Sequence, residues 1–291
     1  MKGSKLKKYI GLLYISPWLI GTAIFTVYPF MASFILGFMD YRLTGAPKFV
    51  GLANYIRMFN DKLFWISLFA TFKFVLLSVP ARLAFALLIA IVLNASLKGI
   101  NLYRTIYYIP SILGGNIAIA VLWRFLFQRY GLINQMLGIF GLPPVLWFST
   151  EWGALITIST LRVWQFGSAM VIFLAGLRDI PQEYYEAAAI DGANKRQIFW
   201  KITMPLLSPV IFFNLVMGMI HAFQEFNAPF MITGGGPMYR TYLFSMMIYD
   251  NAFKLYNMGY ASALSWFLFV IIAAFAAIIF RSSKYWVYYT S

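Results

Sequence analysis

The sequence of 291 residues contains no cysteine and one histidine, His221, and only 11% of its residues are charged. The lack of cysteine excludes disulfides, thiolate metal sites and a cysteine nucleophile. No phosphate-binding loop ending in Gly-Lys-Ser or Gly-Lys-Thr occurs, so we expect the chain not to bind ATP itself. A lone histidine with Glu225 as its nearby acid does not predict a metal site.

The sequence is rich in apolar residues. Hydrophobic residues make up 62% and aromatic residues 20% of the chain, and its mean hydropathy is +0.75. Soluble domains are typically about 25% charged and about 45 to 50% apolar. The net charge of +14 is scattered between apolar runs instead of forming one basic face, which argues against nucleic-acid binding. The composition therefore predicts a protein of the lipid bilayer.

At about 20 apolar residues per crossing, the sequence predicts an all-α, polytopic membrane protein with about six transmembrane helices. We treat residues 1–291 as a single transmembrane domain. Lys73, Pro80 and Arg82 interrupt the second helix, and we expect Arg82 to face protein or a water-lined interior. The predicted helices lie near residues 10–38, 66–93, 105–127, 152–177, 203–226 and 258–280.

The distribution of Lys and Arg between the loops predicts the orientation in the membrane. With the N-terminus inside, the cytoplasmic segments carry twelve Lys and Arg, Lys2 and Lys98 among them, against seven on the opposite side. We therefore expect a multi-pass protein of the cell membrane with both termini in the cytoplasm. This orientation places residues 178–205, between the fourth and fifth helices, in the cytoplasm.

This cytoplasmic loop has the signals of a short amphipathic helix followed by a sharp turn. Pro181 stands at a helix-opening position, acids follow in the first turns, and Gly192 ends the helix. Residues 193–200 then lead into the fifth membrane helix. From these signals alone, a plain connecting hairpin with solvated charges is as good an interpretation as a projecting functional element.

The spacing of residues in the loop favours the functional interpretation. Glu186-Ala187-Ala188, then Gly192, then Met204-Pro205 resembles the EAA loop of permease subunits in binding-protein-dependent ABC importers, with Met204 where leucine is usual. Asp191-Gly192-Ala193 agrees with the carbohydrate branch of that family. Further matches in the correct order resemble permeases of the maltose and glycerol-phosphate type: Arg104, Pro110, Trp123, residues 131–134, Trp164, Gly167, and residues 175–177, 233–237 and 259–263.

The resemblance implies a type I ABC importer permease fold in which this loop is a coupling helix. Such a chain forms half of a translocation pathway, pairs with a second homologous permease, usually a different chain, and works with two ATP-binding subunits and an extracytoplasmic solute-binding protein. ATP and Mg²⁺ would be bound by the partner ATPase, and this chain would be no enzyme and bind no cofactor. The residues implied in coupling are Glu183, Glu186, Ala187, Ala188, Asp191, Gly192 and Ala193.

Polar residues inside membrane helices are costly and are therefore candidates for the substrate path. Amides and carboxylates bind sugar hydroxyls, and aromatic rings stack on the apolar face of a sugar. For each residue taken alone, a hydrogen bond between helices is an equally good interpretation. The candidates are Trp164, Asn214, His221, Gln224, Glu225 and Asn227, with Asn116, Arg162 and Gln165 as further polar residues.

The resemblance therefore predicts the transmembrane subunit of an ATP-driven carbohydrate importer. A permease for glycerol-phosphate or another non-sugar solute stays open as an alternative. An intramembrane enzyme is disfavoured because no predicted helix carries a paired-acid, Ser and His, or His-x-x-x-His arrangement. A stand-alone secondary transporter would typically show two related halves and more membrane helices.

Overall fold

The first apolar run forms one helical rod in the structure, a computed structural model that describes residues 3–43, 45–95 and 99–288. Helix α1 (Gly3–Thr22) passes through a π-helical segment, Ala23–Val27, into α2 (Tyr28–Leu36). The π turn precedes Pro29, which lacks an N–H and whose ring clashes with the carbonyl four residues earlier. The predicted helix at 10–38 is confirmed, since residues 11–36 are long and apolar enough to cross a membrane. Lys2 and Lys98 lie outside the described residues.

The second and sixth predicted membrane helices are also confirmed as unbroken helices. A short antiparallel pair, β1 (Met39–Asp40) and β2 (Lys48–Phe49), and α3 (Ala53–Asn60) precede α4 (Lys62–Leu93). Helix α4 continues through Pro80. The last helix, which runs from Met258 to Trp286, extends beyond the predicted end at residue 280.

The third predicted helix, residues 105–127, is wrong as one straight span. The structure divides it into α5 (Ile100–Leu113) and α6 (Ile117–Leu126), bent by 99°. Gly114 and Gly115 lower the cost of leaving the helix, and the Asn116 side chain accepts a 2.9 Å hydrogen bond from the Ala118 N–H to begin α6. Asn116, considered above for the substrate path, is therefore an N-cap residue.

The fourth predicted helix, residues 152–177, is bent too. After α7 (Leu132–Ile139), α8 (Glu151–Trp164) and α9 (Gly167–Arg178) meet at 48°. The carbonyl of Gln165, released at the break, accepts hydrogen bonds from Arg82 Nε at 3.1 Å and Ser111 Oγ at 3.0 Å. These two donors pay part of the cost of a broken helix inside the membrane.

The fifth predicted helix starts earlier than residue 203 and ends before 226. Following α10 (Gln182–Ile190), the chain enters α11 (Lys195–Ile198), a π segment (Phe199–Thr203) and α12 (Met204–Phe223), which run on as one helix. The π turn again ends two residues before a proline, Pro205. Helices α13 (Asn227–Ile232) and α14 (Phe244–Tyr249) and a π segment (Asp250–Lys254) lead to α15 (Met258–Trp286).

By length and composition, four helices can cross a membrane, or up to six if each bent pair is one span, within the described residues. The helical class predicted from the sequence is confirmed. The chain divides into two compact units, one formed by the described residues up to Asp61 with Ile248–Phe267, the other by Lys62–Met247 with the described residues from Leu268 on.

Each unit has its own internal packing. In the smaller unit, the buried Asn54 amide donates to the carbonyls of Gly37 at 3.0 Å and Met39 at 2.9 Å. In the larger unit, α4, α9 and α12 pack around a core that includes Ala86, Met170 and Leu207. The candidate sites described next all belong to the larger unit.

Candidate functional site

Helix α10 is a surface helix with a fixed end. It follows Pro181 and ends at Ile190, where the N–H of Ala193 bonds to the carbonyl of Ala188 at 2.9 Å and that of Gly192 to Ala189 at 3.1 Å. This pair of bonds is the Schellman motif, which needs a left-handed residue at the turn. Gly192 supplies it with a φ of +72°. The predicted short helix and glycine turn are confirmed.

The side chains of α10 are mostly available to a partner. Glu183, Glu186 and Ala187 are exposed, as are Asp191 and Gly192 after the helix. Ala188 is buried and Ala193 is half-buried, so these two attach the element to the rest of the unit. The structure thus presents the acids and the turn of the predicted coupling set at the surface, while their role in coupling stays a prediction.

Helix α10 is connected mechanically to the fifth membrane helix. The hydroxyl of Tyr185 lies 3.3 Å from the Thr203 hydroxyl, in the π segment that leads into α12. Asn194 begins α11 with a reciprocal capping box, its side chain accepting from Gln197 N at 2.9 Å while Gln197 Oε1 accepts from Asn194 N at 2.8 Å. Because α11 runs on into α12 as one helix, a displacement of α10 can be passed to the membrane helix.

The second candidate region is a mostly apolar cavity of about 210 Å³ between α4, α9 and α12, into which a few polar residues project. Its polar lining comes from Arg82, Ser168, Asn214 and His221, and Phe213 contributes an exposed aromatic ring. Asn214 and His221 lie two helical turns apart on the same face of α12, which is why both reach one cavity. Two of the predicted path residues are therefore brought together.

Arg82 is the charged group of this cavity. Besides the bond to the Gln165 carbonyl, its guanidinium donates to Ser168 Oγ at 2.9 Å. Arg82 faces protein, one of the two surroundings expected for it, since both hydrogen bonds go to protein groups. The predicted path set did not include Arg82, Ser168 or Phe213, although a charge inside an apolar run was a usable signal for Arg82.

A second arginine lies close to the same helices. Arg162 NH1 donates to Gln165 Oε1 at 3.1 Å and lies 3.7 Å from Glu225 Oε2. Glu225 also accepts a 3.2 Å bond from Ala228 N at the start of α13, and its own carbonyl accepts from the Ser245 hydroxyl. Glu225 therefore serves as a partly buried ion-pair partner and bonds to the start of α13 in this structure.

The remaining predicted path residues are not on this cavity. Trp164 packs against Trp123, with ring centroids 5.6 Å apart. Gln224 is the exposed C-cap of α12, and Asn227 is the exposed first residue of α13. Whether any of them meets a solute stays a prediction.

The glycine run at 234–236 forms a tight turn. Gly234 and Gly235 have φ values of +60° and +87°, and Thr241 Oγ1 donates to the Gly236 carbonyl at 2.6 Å. The loop reaches α8 through Arg240, whose Nε lies 3.5 Å from Glu151 Oε2. Glu151 also pairs with Lys73 of α4.

Comparison with known proteins shows which family the chain belongs to. Residues 83–287 match the family model described as "Binding-protein-dependent transport system inner membrane component". The chain belongs to this family. It is a transport subunit of the membrane, multi-pass and not an enzyme, and the family works with a partner ATPase and a solute-binding protein.

Individual relatives cover this permease over nearly its whole length. It is 48% identical over 285 residues to the probable ABC transporter permease protein YesP of Bacillus subtilis, a match that covers 97% of this chain and 92% of that protein. It is 35% identical to the trehalose/maltose transport system permease protein MalF of Thermococcus litoralis, with 97% of both chains covered.

Solved structures confirm the fold of a type I importer permease. A chain of a bacterial alginate ABC transporter, in complex with an alginate pentasaccharide-bound periplasmic protein, superposes with a TM-score of 0.83 at 22% identity. The superposition covers 98% of both chains. The bends in α5–α6 and α8–α9 are thus parts of a permease fold in which the chain contributes to a translocation pathway.

Proposed function

We propose that this permease is the transmembrane subunit of an ATP-driven importer for carbohydrates and forms half of its translocation pathway. The printed names of several relatives support the substrate class, among them the trehalose/maltose permease and the multiple sugar-binding permease MsmF of Streptococcus mutans. The polar and aromatic lining of the cavity at Arg82, Asn214 and Phe213 also suits a hydroxyl-rich solute.

The observation that carries the coupling part of the proposal is the exposed, Schellman-capped helix α10. Its acids and its turn are open to a partner, while Tyr185 and the continuous α11–α12 helix tie it to the membrane domain. Closure of the ATPase subunits around ATP would move α10, and the attached α12 would follow as a rigid body. ATP and Mg²⁺ belong to the ATPase in this scheme, and this chain binds no cofactor.

The proposed assembly has two ATP-binding subunits, one extracytoplasmic solute-binding protein and a second homologous permease that differs from this chain. Six membrane spans from one chain supply half of a pathway, so a second permease has to supply the rest. A heterodimer is the arrangement that the resemblance to sugar permeases implies.

Purification of the tagged chain from its native membrane in mild detergent tests this assembly. We expect mass spectrometry to find an ATPase and one second, different permease in comparable amounts. Recovery of this chain alone would contradict the importer assembly, and recovery of two copies of it with the ATPase would contradict the heterodimer.

The proposed orientation puts both termini and α10 in the cytoplasm, as the excess of Lys and Arg indicates. Because the chain has no cysteine, a single introduced cysteine is the one thiol that a maleimide can label in it. We expect a cysteine at the exposed Met238 to react with a membrane-impermeant maleimide in intact spheroplasts, and one at Glu183 to react only after lysis. The reverse labelling pattern would show that the chain has the opposite orientation in the membrane.

A further inference from the structure

The cavity between α4, α9 and α12 has an unbalanced charge. Arg82 lines it, and Arg162 lies nearby against the one carboxylate of the group, Glu225. His221 lines the same cavity. Two guanidinium groups thus face one carboxylate in the membrane-spanning part of the chain.

Within the described residues, Arg82 takes part in no ion pair. Its hydrogen bonds go to a backbone carbonyl and a serine hydroxyl, both of which are neutral. Those bonds satisfy donors but do not cancel the charge, and an arginine side chain stays protonated in proteins. Keeping such a charge within a membrane helix is costly, so it marks a pathway for ions or substrate by default.

The neighbours of Arg82 are suited to one kind of solute. Asn214, Ser168 and His221 can exchange hydrogen bonds with hydroxyl groups, and Phe213 offers a ring to an apolar sugar face. A guanidinium recognises a planar carboxylate with two parallel hydrogen bonds. A saccharide with a carboxylate would use all of these groups together.

We propose that the solute carried is an anionic saccharide, with its carboxylate drawn to Arg82 during passage. This inference rests on the proposed carbohydrate function and names the substrate class within it. It makes Arg82 a residue that determines specificity, in addition to its contact with the break between α8 and α9.

The test compares uptake in intact cells of the source organism in which this chain is deleted and then supplied as wild type, Arg82→Gln or Arg82→Lys. The probe is an equal mixture of neutral maltooligosaccharides and galacturonate oligosaccharides, quantified inside the cells by mass spectrometry. Lysine keeps the charge, whereas glutamine keeps a hydrogen-bond donor and loses the charge. Membrane levels of the chain and recovery of its ATPase show that each variant is assembled.

We expect chain-dependent uptake to favour galacturonate oligosaccharides. Arg82→Gln should lower their uptake about tenfold relative to any residual neutral uptake, which corresponds to about 1.4 kcal/mol. Arg82→Lys, which keeps the charge but cannot form the two parallel hydrogen bonds, should restore part of it. Uptake of the neutral sugars alone, or an equal loss of both kinds in Arg82→Gln, would overturn the anionic assignment and leave the carbohydrate function intact. If neither the neutral nor the galacturonate oligosaccharides show chain-dependent uptake, the result would contradict the carbohydrate function, and with it the anionic assignment that rests on that function.

Discussion

Helices α7 and α10 are two short helices of the same unit that end in the same way. In α7, Leu142 N bonds to the Leu137 carbonyl and Gly141 N to the Gly138 carbonyl, both at 3.0 Å. This repeats the Schellman motif of α10, and Gly141 and Gly192 share a φ of +72°. An added Cβ would meet no other atom within 4 Å at either glycine. As backbone structures, the two helix ends are equivalent.

The two helices differ in how their side chains attach them to the unit and in which side chains they expose. Helix α7 is held by the buried Asn134, whose amide bonds to the backbone of Gln128, Arg129 and Val145. It carries no charged residue and exposes Ile139 and Phe140. Helix α10 is attached through Tyr185 and Ala188, and it exposes Glu183 and Glu186. The capping motif therefore fixes the helix end, whereas the exposed side chains decide whether lipid or a protein partner can meet it.

Substitution of Gly192 and Gly141, which share the same backbone conformation, has the largest expected effect. The pair distinguishes a local folding defect from a loss of coupling to the ATPase. Both Gly192→Asp and Gly141→Asp place a side chain in the left-handed region, at a cost of about 1 kcal/mol, and add an acid at a helix C-terminus. We expect Gly192→Asp to reduce ATP-driven uptake at least about 100-fold, because misplacing α10 removes several partner contacts at once. Gly141→Asp should change uptake less than about twofold.

The measurement is solute uptake by cells together with recovery of the ATPase on the tagged chain. Thermal unfolding of both purified variants serves as the control, and we expect similar small decreases in Tm. Equal losses of uptake in the two variants would show that the cap, and not the surface of α10, is what the importer needs.

Reversing the charge of Glu186, one of the two acids of α10, has the next largest expected effect. Glu186 is exposed and forms no ion pair within the described part of the chain, so Glu186→Lys should leave the fold of the chain intact. If Glu186 contacts the ATPase, reversal of its charge should lower uptake about 30-fold, since truncated charge contacts in interfaces cost about 2 kcal/mol or more. Glu186→Gln, which keeps the shape and removes the charge, should have an intermediate effect. Unchanged uptake in the lysine variant would remove Glu186 from the coupling surface.

Helix α10 could be predicted from sequence because its signals are local. Pro181 and Gly192 mark its ends within one short segment, and each acts through the backbone of neighbouring residues. The bend between α5 and α6 also has local signals, in Gly114, Gly115 and Asn116. A prediction based on averaged hydropathy missed it, because such an average does not register where a helix breaks.

The bend at Gln165 and the composition of the cavity could not be predicted in the same way. Gly167 begins α9, but one glycine inside an apolar run does not by itself predict a break. The break is supported by donors from distant helices, Arg82 and Ser111. Helical spacing does place Asn214 and His221 on one face of α12. Their partners Arg82 and Ser168 come from α4 and α9, and only tertiary packing brings them together.

The smallest expected effect comes from a matched pair of exposed isoleucines. Ile190 at the end of α10 is 86% exposed, and Ile139 at the end of α7 is 81% exposed. Replacing either by alanine should not change the free energy of unfolding of the isolated chain measurably, because neither side chain is buried in it. If the ATPase covers the tip of α10, Ile190→Ala should weaken its binding about fivefold through about 1 kcal/mol of lost apolar burial. Ile139→Ala should leave the binding unchanged. Titration of the ATPase onto the purified variants measures both, and equal affinities for wild type and Ile190→Ala would restrict the partner to the acidic side of α10.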